Sequence, residues 1–268
     1  MKHIIRWAIP VLILLTGWPH TTAGEPAGTP PETALRITII YDNYLARSDM
    51  YQDWGFSCLV EFGGQSLLFD AGNNVSLFKQ NMQTLELAPK DFPDMFISHF
   101  HGDHTAGMPW ICKENPSVNC HLPSTWYQEL KDSGKLPPHS HGYDRPTHIL
   151  GPFYSTGDHF TAFHEQGLVV KTESGGVLIT GCGHPGPVHM IRLAEKELDM
   201  DIHTLIGGLH LMRMSDTQLK DLSDELKALG IERICPTHCT GEHAIAYLKS
   251  SFGEGYMEGG AGQVLILE

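Results

Sequence analysis

The sequence predicts an α/β fold, and two observations support that prediction. In both halves of the chain, short segments rich in branched and aromatic residues are separated by glycine turns, which is typical of β-hairpins. Segments with apolar residues at helical spacing follow each of these β-rich halves. Two β-rich halves that are each followed by helices suggest four layers, in which two facing sheets are enclosed by helices.

The first half of the chain begins with a strand that is followed by a hairpin. Gly63-Gly64 supplies the turn between the two hairpin strands. In chain order, the predicted elements are strands at residues 35–41, 56–62 and 66–70, a helix at 76–87, a strand at 94–98, a helix at 122–132, and a polar loop rich in proline and histidine at 133–147.

The second half opens with another hairpin, whose turn is Ser174-Gly175-Gly176. Further along, Ser215-Asp216-Thr217-Gln218 forms a capping box that begins a helix, and Gly230 ends it. In chain order, the predicted elements are strands at 167–172 and 177–180, a helix at 188–198, a strand at 202–206, the capped helix, a strand at 231–235, a helix at 242–252 and a strand at 263–267.

The N-terminal residues predict a secretory signal peptide over residues 1–23. Lys2 and Arg6 precede an apolar run at residues 7–15, which is too short to span a bilayer. Thr21-Thr22-Ala23 then supplies small residues for cleavage. A retained membrane anchor is the alternative interpretation of this stretch.

Cleavage near Gly24 would leave a flexible segment at residues 24–34 and one large domain at 35–268. We therefore expect a periplasmic or secreted protein with no stable membrane insertion after cleavage. Cys112 and Cys120 flank a proline-containing loop away from the metal motifs, and we expect them to form a disulfide in an oxidising compartment.

The charge of the chain disfavours nucleic acid as a partner. The formal net charge is −13, and removal of Lys2 and Arg6 with the signal peptide would make it −15. Such a chain offers no basic patch to replace the counterions of a phosphate backbone. We expect a small-molecule substrate instead, and an anionic one is compatible because bound cations would dominate the local field. The sequence does not predict an oligomeric state.

One six-residue segment, His99-Phe100-His101-Gly102-Asp103-His104, carries most of the chemical information. It lies between a predicted strand and a predicted helix. On such a loop, His99 and His101 can point to one side while Asp103 and His104 point to another. A single cation cannot easily take four ligands from so short a stretch, but two adjacent cations can, each with an open position for water. The segment therefore predicts a dinuclear metal site.

Three further histidines, His184, His210 and His238, each follow a predicted strand. Loops on a rigid scaffold are where binding sites are built, so we expect these side chains to meet the first cluster at one rim of the sheets. Asp70 ends another strand, and a carboxylate in that place can hold a ligand histidine by its second ring nitrogen.

The segment Gly181-x-Gly183-x-x-Gly186 formally matches a dinucleotide-binding fingerprint. His184 and Pro185 fill the motif, the segment comes late in the chain, and an exported protein would have little access to free NAD, so we predict no dinucleotide cofactor. Because the segment precedes a helix, its backbone N–H groups could instead hold a substrate phosphate.

The stretch at residues 98–107, SHFHGDHTAG, resembles the metal-binding motif of the metallo-β-lactamase superfamily. Further segments occur in the order found in one branch, named for 7,8-dihydropterin-6-methyl-4-(β-D-ribofuranosyl)aminobenzene-5'-phosphate synthase. The resemblance covers about residues 35–268 and implies a four-layer αββα sandwich. The segments are Asp42-Asn43, residues 54–61, residues 68–72, residues 181–186, residues 206–211 and residues 238–241.

The resemblance implies a set of six metal ligands, and this chain departs from the branch at several positions. Cys182 stands where superfamily members commonly have a bridging Asp, so the bridging ligand is open. His164 stands where other members place their third histidine and competes with His184, which we favour. The implied ligands are His99, His101, Asp103, His104, His184 and His238.

These observations predict an exported metallo-hydrolase that holds two divalent cations, with zinc preferred over manganese or iron. Asp103 and His210 are the predicted catalytic residues: Asp103 would orient the attacking water, and His210 would contact substrate or line the pocket. We expect a phosphoester, a phosphodiester or another ester-like substrate. The alternatives are an iron-dependent oxidoreductase, which His101 disfavours, a pterin-related synthase or transferase with a phosphate-bearing substrate, and a non-catalytic binding module.

Overall fold

The computed structural model describes residues 34–161 and 163–267. The predicted signal peptide and the cleavage position lie outside the described residues. The β-strands are β1 Leu35–Tyr41, β2 Ser57–Phe62, β3 Gln65–Phe69, β4 Asp94–Phe96, β5 Asn119–Pro123, β6 Ser140–Tyr143, β7 Thr147–Leu150, β8 Phe153–Ser155, β9 His159–Phe160, β10 His164–Glu165, β11 Leu168–Thr172, β12 Gly175–Thr180, β13 Ile202–Gly208, β14 Arg233–Thr237 and β15 Val264–Leu267.

The helices connect these strands and lie on the outer faces of two sheets. They are α1 Val75–Thr84, α2 Gly102–Thr105, α3 Met108–Glu114, α4 Ser124–Asp132, α5 Pro187–Leu198, α6 Asp216–Ala228 and α7 Glu242–Phe252. Single turns of 3-10 helix occur at Pro89–Asp91, His238–Thr240 and Gly253–Gly255. Among the described residues, no helix has the length and apolar character needed to cross a membrane.

The two large sheets face each other across a shared apolar core. The first has the strand order β15-β1-β2-β3-β4-β5-β6, and the second has the order β14-β13-β12-β11-β8-β7. Side chains of both sheets, such as Phe69 from β3 and Ile179 from β12, belong to one buried cluster. Separate clusters join the first sheet to α1 and α3 and the second sheet to α5, α6 and α7. The predicted αββα sandwich is therefore confirmed.

The sequence-based prediction differs most from the structure near one edge of the first sheet, at β5 and β6. The predicted helix at 122–132 begins only at Ser124, because residues 119–123 form β5 between β4 and β6. The predicted loop at 133–147 contains the edge strand β6. Both strands contain polar residues whose hydrogen bonds are made inside the fold, as with His121, which contacts the Asp94 carboxylate at 2.7 Å.

Candidate metal centre

The proposed ligands lie where strands of both sheets end at one rim of the sandwich. In the first sheet β3 and β4 are parallel, and in the second sheet β12, β13 and β14 are parallel, so each set presents its carboxyl ends together. The histidine-rich segment follows β4, the glycine-rich segment with His184 follows β12, and His238 follows β14. The structure brings all six predicted ligands together at this rim.

His99, His101 and His184 form the first group of ring nitrogens. The Nε2 atom of His99 lies 3.0 Å from Nδ1 of His101, and Nε2 of His184 lies 3.3 Å from that same Nδ1 atom. His99 is fully buried, whereas the other two rings are half-buried. Three imidazole nitrogens that face one point form a nitrogen site of the kind that zinc prefers.

Asp103, His104 and His238 form the second group, next to the first. The Nε2 atoms of His104 and His238 lie 3.2 Å apart, and Oδ2 of Asp103 lies 3.6 Å and 3.4 Å from them, respectively. The Sγ atom of Cys182 lies 3.3 Å from Nε2 of His104 and thus borders this group. Together the groups offer the donors for two neighbouring cations.

Hydrogen bonds behind three of the rings fix which nitrogen carries the proton. Ser98 Oγ donates to Asp70 at 2.8 Å and so accepts from Nδ1 of His99 at 2.9 Å. Asp70 Oδ2 also accepts from Nδ1 of His104 at 2.7 Å. In each ring the Nε2 atom therefore presents a lone pair to the site.

The third fixed ring belongs to His238. The side-chain oxygen of Asn43 accepts a hydrogen bond from the backbone N–H of Gly55 at 3.0 Å, so it also accepts from Nδ1 of His238 at 2.9 Å. In the neutral ring, the Nε2 atom of His238 is thus left unprotonated as well. Facing lone pairs of this kind repel each other unless a cation lies between them, so the donor set fits divalent metal.

Burial keeps most of these donors in the form that binds metal. Burial lowers the pKa of His104 and of His184 to about 3, and lowers that of His99 well below its ordinary value. Burial raises the pKa of Asp103, but hydrogen bonding to His238 and the nearby histidines outweigh it and the net shift is downward. His99, His104 and His184 are thus neutral and the Asp103 carboxylate is charged at neutral pH, as metal ligation requires. His238 differs: burial lowers its pKa, but its hydrogen bond to Asp103 and the nearby negative charges outweigh burial and the net shift is upward, so this ring must lose a proton when metal binds.

A family model for the metallo-beta-lactamase superfamily matches residues 55–238, which contain both groups. The chain belongs to the metallo-β-lactamase superfamily. The resemblance seen in the sequence is thereby confirmed.

Relatives in this superfamily carry more than one activity. A 7,8-dihydropterin-6-methyl-4-(beta-D-ribofuranosyl)-aminobenzene-5'-phosphate synthase of Methanocaldococcus jannaschii is 25% identical, over 86% of this chain and 96% of that protein. A ribonuclease Z of Thermococcus kodakarensis is 32% identical, over 65% of this chain and 45% of that enzyme. The crystal structure of Tm1679, a metal-dependent hydrolase of the superfamily, matches with a TM-score of 0.70 and 25% identity, over 86% of this chain and 98% of that one.

The structure separates the two histidines that compete for the third place in the first group. Nδ1 of His164 lies 2.9 Å from Oδ1 of Asp158, beside the start of α4, and no contact joins its ring to His99 or His101 in the described part of the chain. The ring of His184 faces both of them. Of His164 and His184, therefore, it is His184 whose ring lies in position to bind the same cation as His99 and His101.

The glycine-rich segment is held by a carboxylate that the sequence did not point to. Glu165 is fully buried, and its Oε1 atom accepts hydrogen bonds from the backbone N–H groups of residues 181, 182 and 183 at 2.9–3.0 Å. Its Oε2 atom accepts from the N–H of His184 at 2.8 Å. The expectation that these donors hold a substrate phosphate is wrong, because Glu165 already occupies them.

Close packing explains why residue 181 is a glycine. A Cβ atom there would collide with the side chain of Ser98, the residue that orients His99. Gly181 therefore allows close packing of this loop against the histidine loop.

Aromatic side chains surround the open side of the metal centre. The Phe163 ring stacks on His101 with ring centroids 4.0 Å apart, and Trp54, which is exposed, packs edge-on to His238 at 5.0 Å. His210 is exposed at this side, with its ring centroid 4.8 Å from that of His184. His210 thus lies at the entrance, where the sequence placed it, whereas neither Phe163 nor Trp54 was among the predicted site residues, although Trp54 begins one of the segments that carry the resemblance.

Proposed function

We propose that this protein is an exported, metal-dependent hydrolase of a small phosphoester or phosphodiester, with two divalent cations, preferentially zinc, in the two groups of donors. The observation that carries the proposal is the set of lone pairs that the Ser98, Asp70 and Asn43 hydrogen bonds direct into the site. A bound pair of divalent cations supplies an activated water and stabilises negative charge in the transition state.

The residues around the donors have distinct tasks in this proposal. Asp103 is partly exposed, with a carboxylate 3.4–3.6 Å from the ring nitrogens of His104 and His238, so it can accept a hydrogen bond from the attacking water and orient it. His210 lies at the entrance, with its ring centroid 4.8 Å from that of His184. Phe163 and Trp54 shield the two groups from bulk water.

The preference for a phosphoester rests on relatives and not on the glycine-rich loop, whose N–H groups Glu165 occupies. One relative is a ribonuclease Z, and another is a synthase named for a 5'-phosphate compound. A net charge of −13 favours a small substrate over a nucleic acid.

The second candidate is a synthase or transferase acting on a pterin-related phosphate substrate. It is favoured by the Methanocaldococcus jannaschii relative, which this chain matches over 96% of that protein's length. The metal centre would serve either reaction. Evidence of export would favour the hydrolase over the synthase or transferase, because a secreted enzyme would not meet an intracellular pterin precursor.

Metal analysis tests the two donor groups directly. We expect His99→Ala and Asp103→Ala each to lose at least one bound cation relative to the wild type. His243→Ala, which changes an exposed histidine paired with Asp216, is the matched control and should keep the wild-type content. Full occupancy in either site variant would remove that residue from the metal centre.

Turnover of bis(p-nitrophenyl) phosphate, compared with that of nitrocefin by the metal-replete protein, tests the reaction class. We expect phosphodiester hydrolysis, and we expect His184→Ala to abolish it. Nitrocefin hydrolysis without phosphodiesterase activity would refute the substrate proposal, and a rate that survives in His184→Ala would place the activity elsewhere.

Export is tested by N-terminal sequencing of protein recovered from the periplasm or the medium. A start near Gly24 is expected. Protein that still begins at Met1 in that fraction would contradict the proposed cleavage.

A further inference from the structure

A second cluster of metal-binding side chains lies beside the centre described above. The donor atoms of Cys182, His210 and Cys239 all lie within 4.8 Å of one another. The three residues come from the loops that follow β12, β13 and β14. Both cysteines are buried, with 3% and 1% exposure, while His210 is exposed. Two of these residues, His210 and Cys239, belong to neither of the two groups already described.

The backbone around this cluster is shaped to bring the three side chains together. A Cβ atom at position 208 would collide with the backbone carbonyl of Gly181 and would lie 2.8 Å from Sγ of Cys239, so glycine allows the loops that carry Cys182 and Cys239 to approach closely. Two residues later, His210 has a φ of +54°, a conformation that costs a non-glycine residue about 1–3 kcal/mol. Such strain persists only where the surroundings enforce it, and here it directs the imidazole toward the two sulfurs.

Hydrogen bonds on both sides hold this loop in place. The hydroxyl of Thr180 donates to the carbonyl of Gly208 at 2.8 Å, and the backbone N–H of Leu209 donates to the hydroxyl of Thr240 at 3.1 Å. Thr180 and Thr240 belong to the same two chain segments as the cysteines. The position of His210 relative to the thiols is therefore built by the fold and does not depend on a mobile loop.

The chemistry of the donors points to a thiophilic cation. Two cysteine sulfurs and one imidazole nitrogen form a set that zinc binds tetrahedrally, at about 2.3 Å from sulfur and 2.0–2.1 Å from nitrogen, with a fourth position left open. Among the described residues, Cys239 Sγ lies 3.6 Å from the carbonyl oxygen of Cys182, and Cys182 Sγ lies 3.3 Å from Nε2 of His104. Soft thiolate ligands favour zinc over magnesium or calcium.

Cys182 connects this cluster to the dinuclear centre. Its sulfur forms a compact donor group with His99 and His104 on one side and with His210 and Cys239 on the other. A thiolate has enough lone pairs to ligate two cations at once. Cys182 can thus belong to both sites without a change in the position of its side chain.

We propose that Cys182, His210 and Cys239 bind a third cation, best matched by Zn²⁺, next to the two cations of the hydrolytic centre. His210 then acts as a metal ligand and not as the substrate contact that the sequence predicts. The inference rests on the proposed function only in that Cys182 borders both sites, since the donors of the third site other than Cys182 take no part in the first two.

The test is reconstitution of the full-length, metal-free protein with Zn²⁺ and with Co²⁺ under reducing, anaerobic conditions. We expect three cations per chain in the wild type and two in Cys239→Ser and in His210→Ala. Cys112→Ser removes a half-buried thiol distant from this cluster and is the control, with three cations expected. In the Co²⁺ form, the thiolate-to-metal charge-transfer absorption should fall in Cys239→Ser and stay unchanged in Cys112→Ser.

His210→Ala changes an exposed residue and leaves both buried thiols in place, so it keeps the test interpretable if Cys239→Ser misfolds. Two cations in the wild type, or three in both site variants, would overturn the third site. Neither result touches the dinuclear centre, which is tested by His99→Ala and Asp103→Ala. Loss of metal in those variants together with unchanged content in Cys239→Ser would leave the proposed function standing and refute the third site alone.

Discussion

Replacement of Asp70 by asparagine tests whether the hydrogen bonds behind the ring nitrogens control metal binding. The carboxylate of Asp70 is fully buried and accepts three hydrogen bonds. Oδ1 accepts from the backbone N–H of Ser98 at 2.7 Å, and Oδ2 accepts from the Ser98 hydroxyl at 2.8 Å and from Nδ1 of His104 at 2.7 Å. All three neighbours donate to the wild-type carboxylate, so the new amide N–H group finds an acceptor only if the Ser98 hydroxyl or the His104 ring changes its hydrogen-bonding role.

Both orientations of the asparagine amide carry a cost. If its nitrogen faces His104, that ring must accept on Nδ1 and move its proton to Nε2, which removes a lone pair from the metal site. If its nitrogen faces the backbone N–H of Ser98, two donors meet in a buried place, at a cost of about 1–3 kcal/mol. Loss of such a supporting contact weakens metal affinity about 10- to 100-fold, equivalent to about 1.4–2.8 kcal/mol.

Competition with a chromophoric chelator measures this effect, with Asp132→Asn as the control for the same chemical change at an exposed position. We expect Asp70→Asn to raise the dissociation constant of at least one cation by 10-fold or more and the control to leave both unchanged. Equal affinities in Asp70→Asn and the wild type, with equal melting temperatures of the metal-free proteins, would refute the reasoning.

Three further predictions follow from the contacts in and around the site. Burial lowers the pKa of His104 to about 3, whereas in the unfolded chain it titrates near 6.5, so the unfolded state binds more protons in this window. The contribution of His104 to the free energy of unfolding of the metal-free protein should therefore fall as pH drops from about 6.5 toward 3, and urea titrations in which the wild type and His104→Gln lose equal stability over this range would contradict this. The sulfurs of Cys112 and Cys120 lie 3.8 Å apart without a bond between them, and we expect them to form a disulfide in exported protein. If both thiols react with a labelling reagent in denatured, unreduced protein, this pairing is wrong. Gly181→Ala should lower stability by about 1–3 kcal/mol because its Cβ collides with Ser98, and an unchanged melting temperature would show that the loop can move.

The sequence predicted best those features that depend on residues close together in the chain. The histidine-rich segment and the strand before it predicted the metal site, and the strand that directly precedes each of His184 and His238 predicted that these side chains meet it at one rim. Glycine turns and alternating apolar segments predicted the two hairpins, β2-β3 and β11-β12, which the structure contains. In each case the residues that define the pattern lie next to one another in the chain.

Features that depend on distant contacts were missed. Strand β5 contains Asn119 and His121, whose polarity disfavours a buried strand unless partners such as Asp94 are known. Glu165 belongs to none of the motifs that predicted the site, yet it is buried and accepts hydrogen bonds from four backbone N–H groups of another segment. The error over the phosphate-binding loop has the same origin, because no local pattern shows that a backbone donor is already taken.

The separation of the donors along the chain bears on when metal enters during folding. His104 and His238 lie 134 residues apart in sequence but face each other at 3.2 Å, one on a loop of each sheet. The second cation site therefore forms only after the two sheets have docked. Contacts that form after the rate-limiting step leave the folding rate unchanged and slow unfolding. If the sheets dock after the rate-limiting step, divalent metal at this site should slow unfolding and so lengthen the lifetime of the native protein. It should leave the folding rate unchanged.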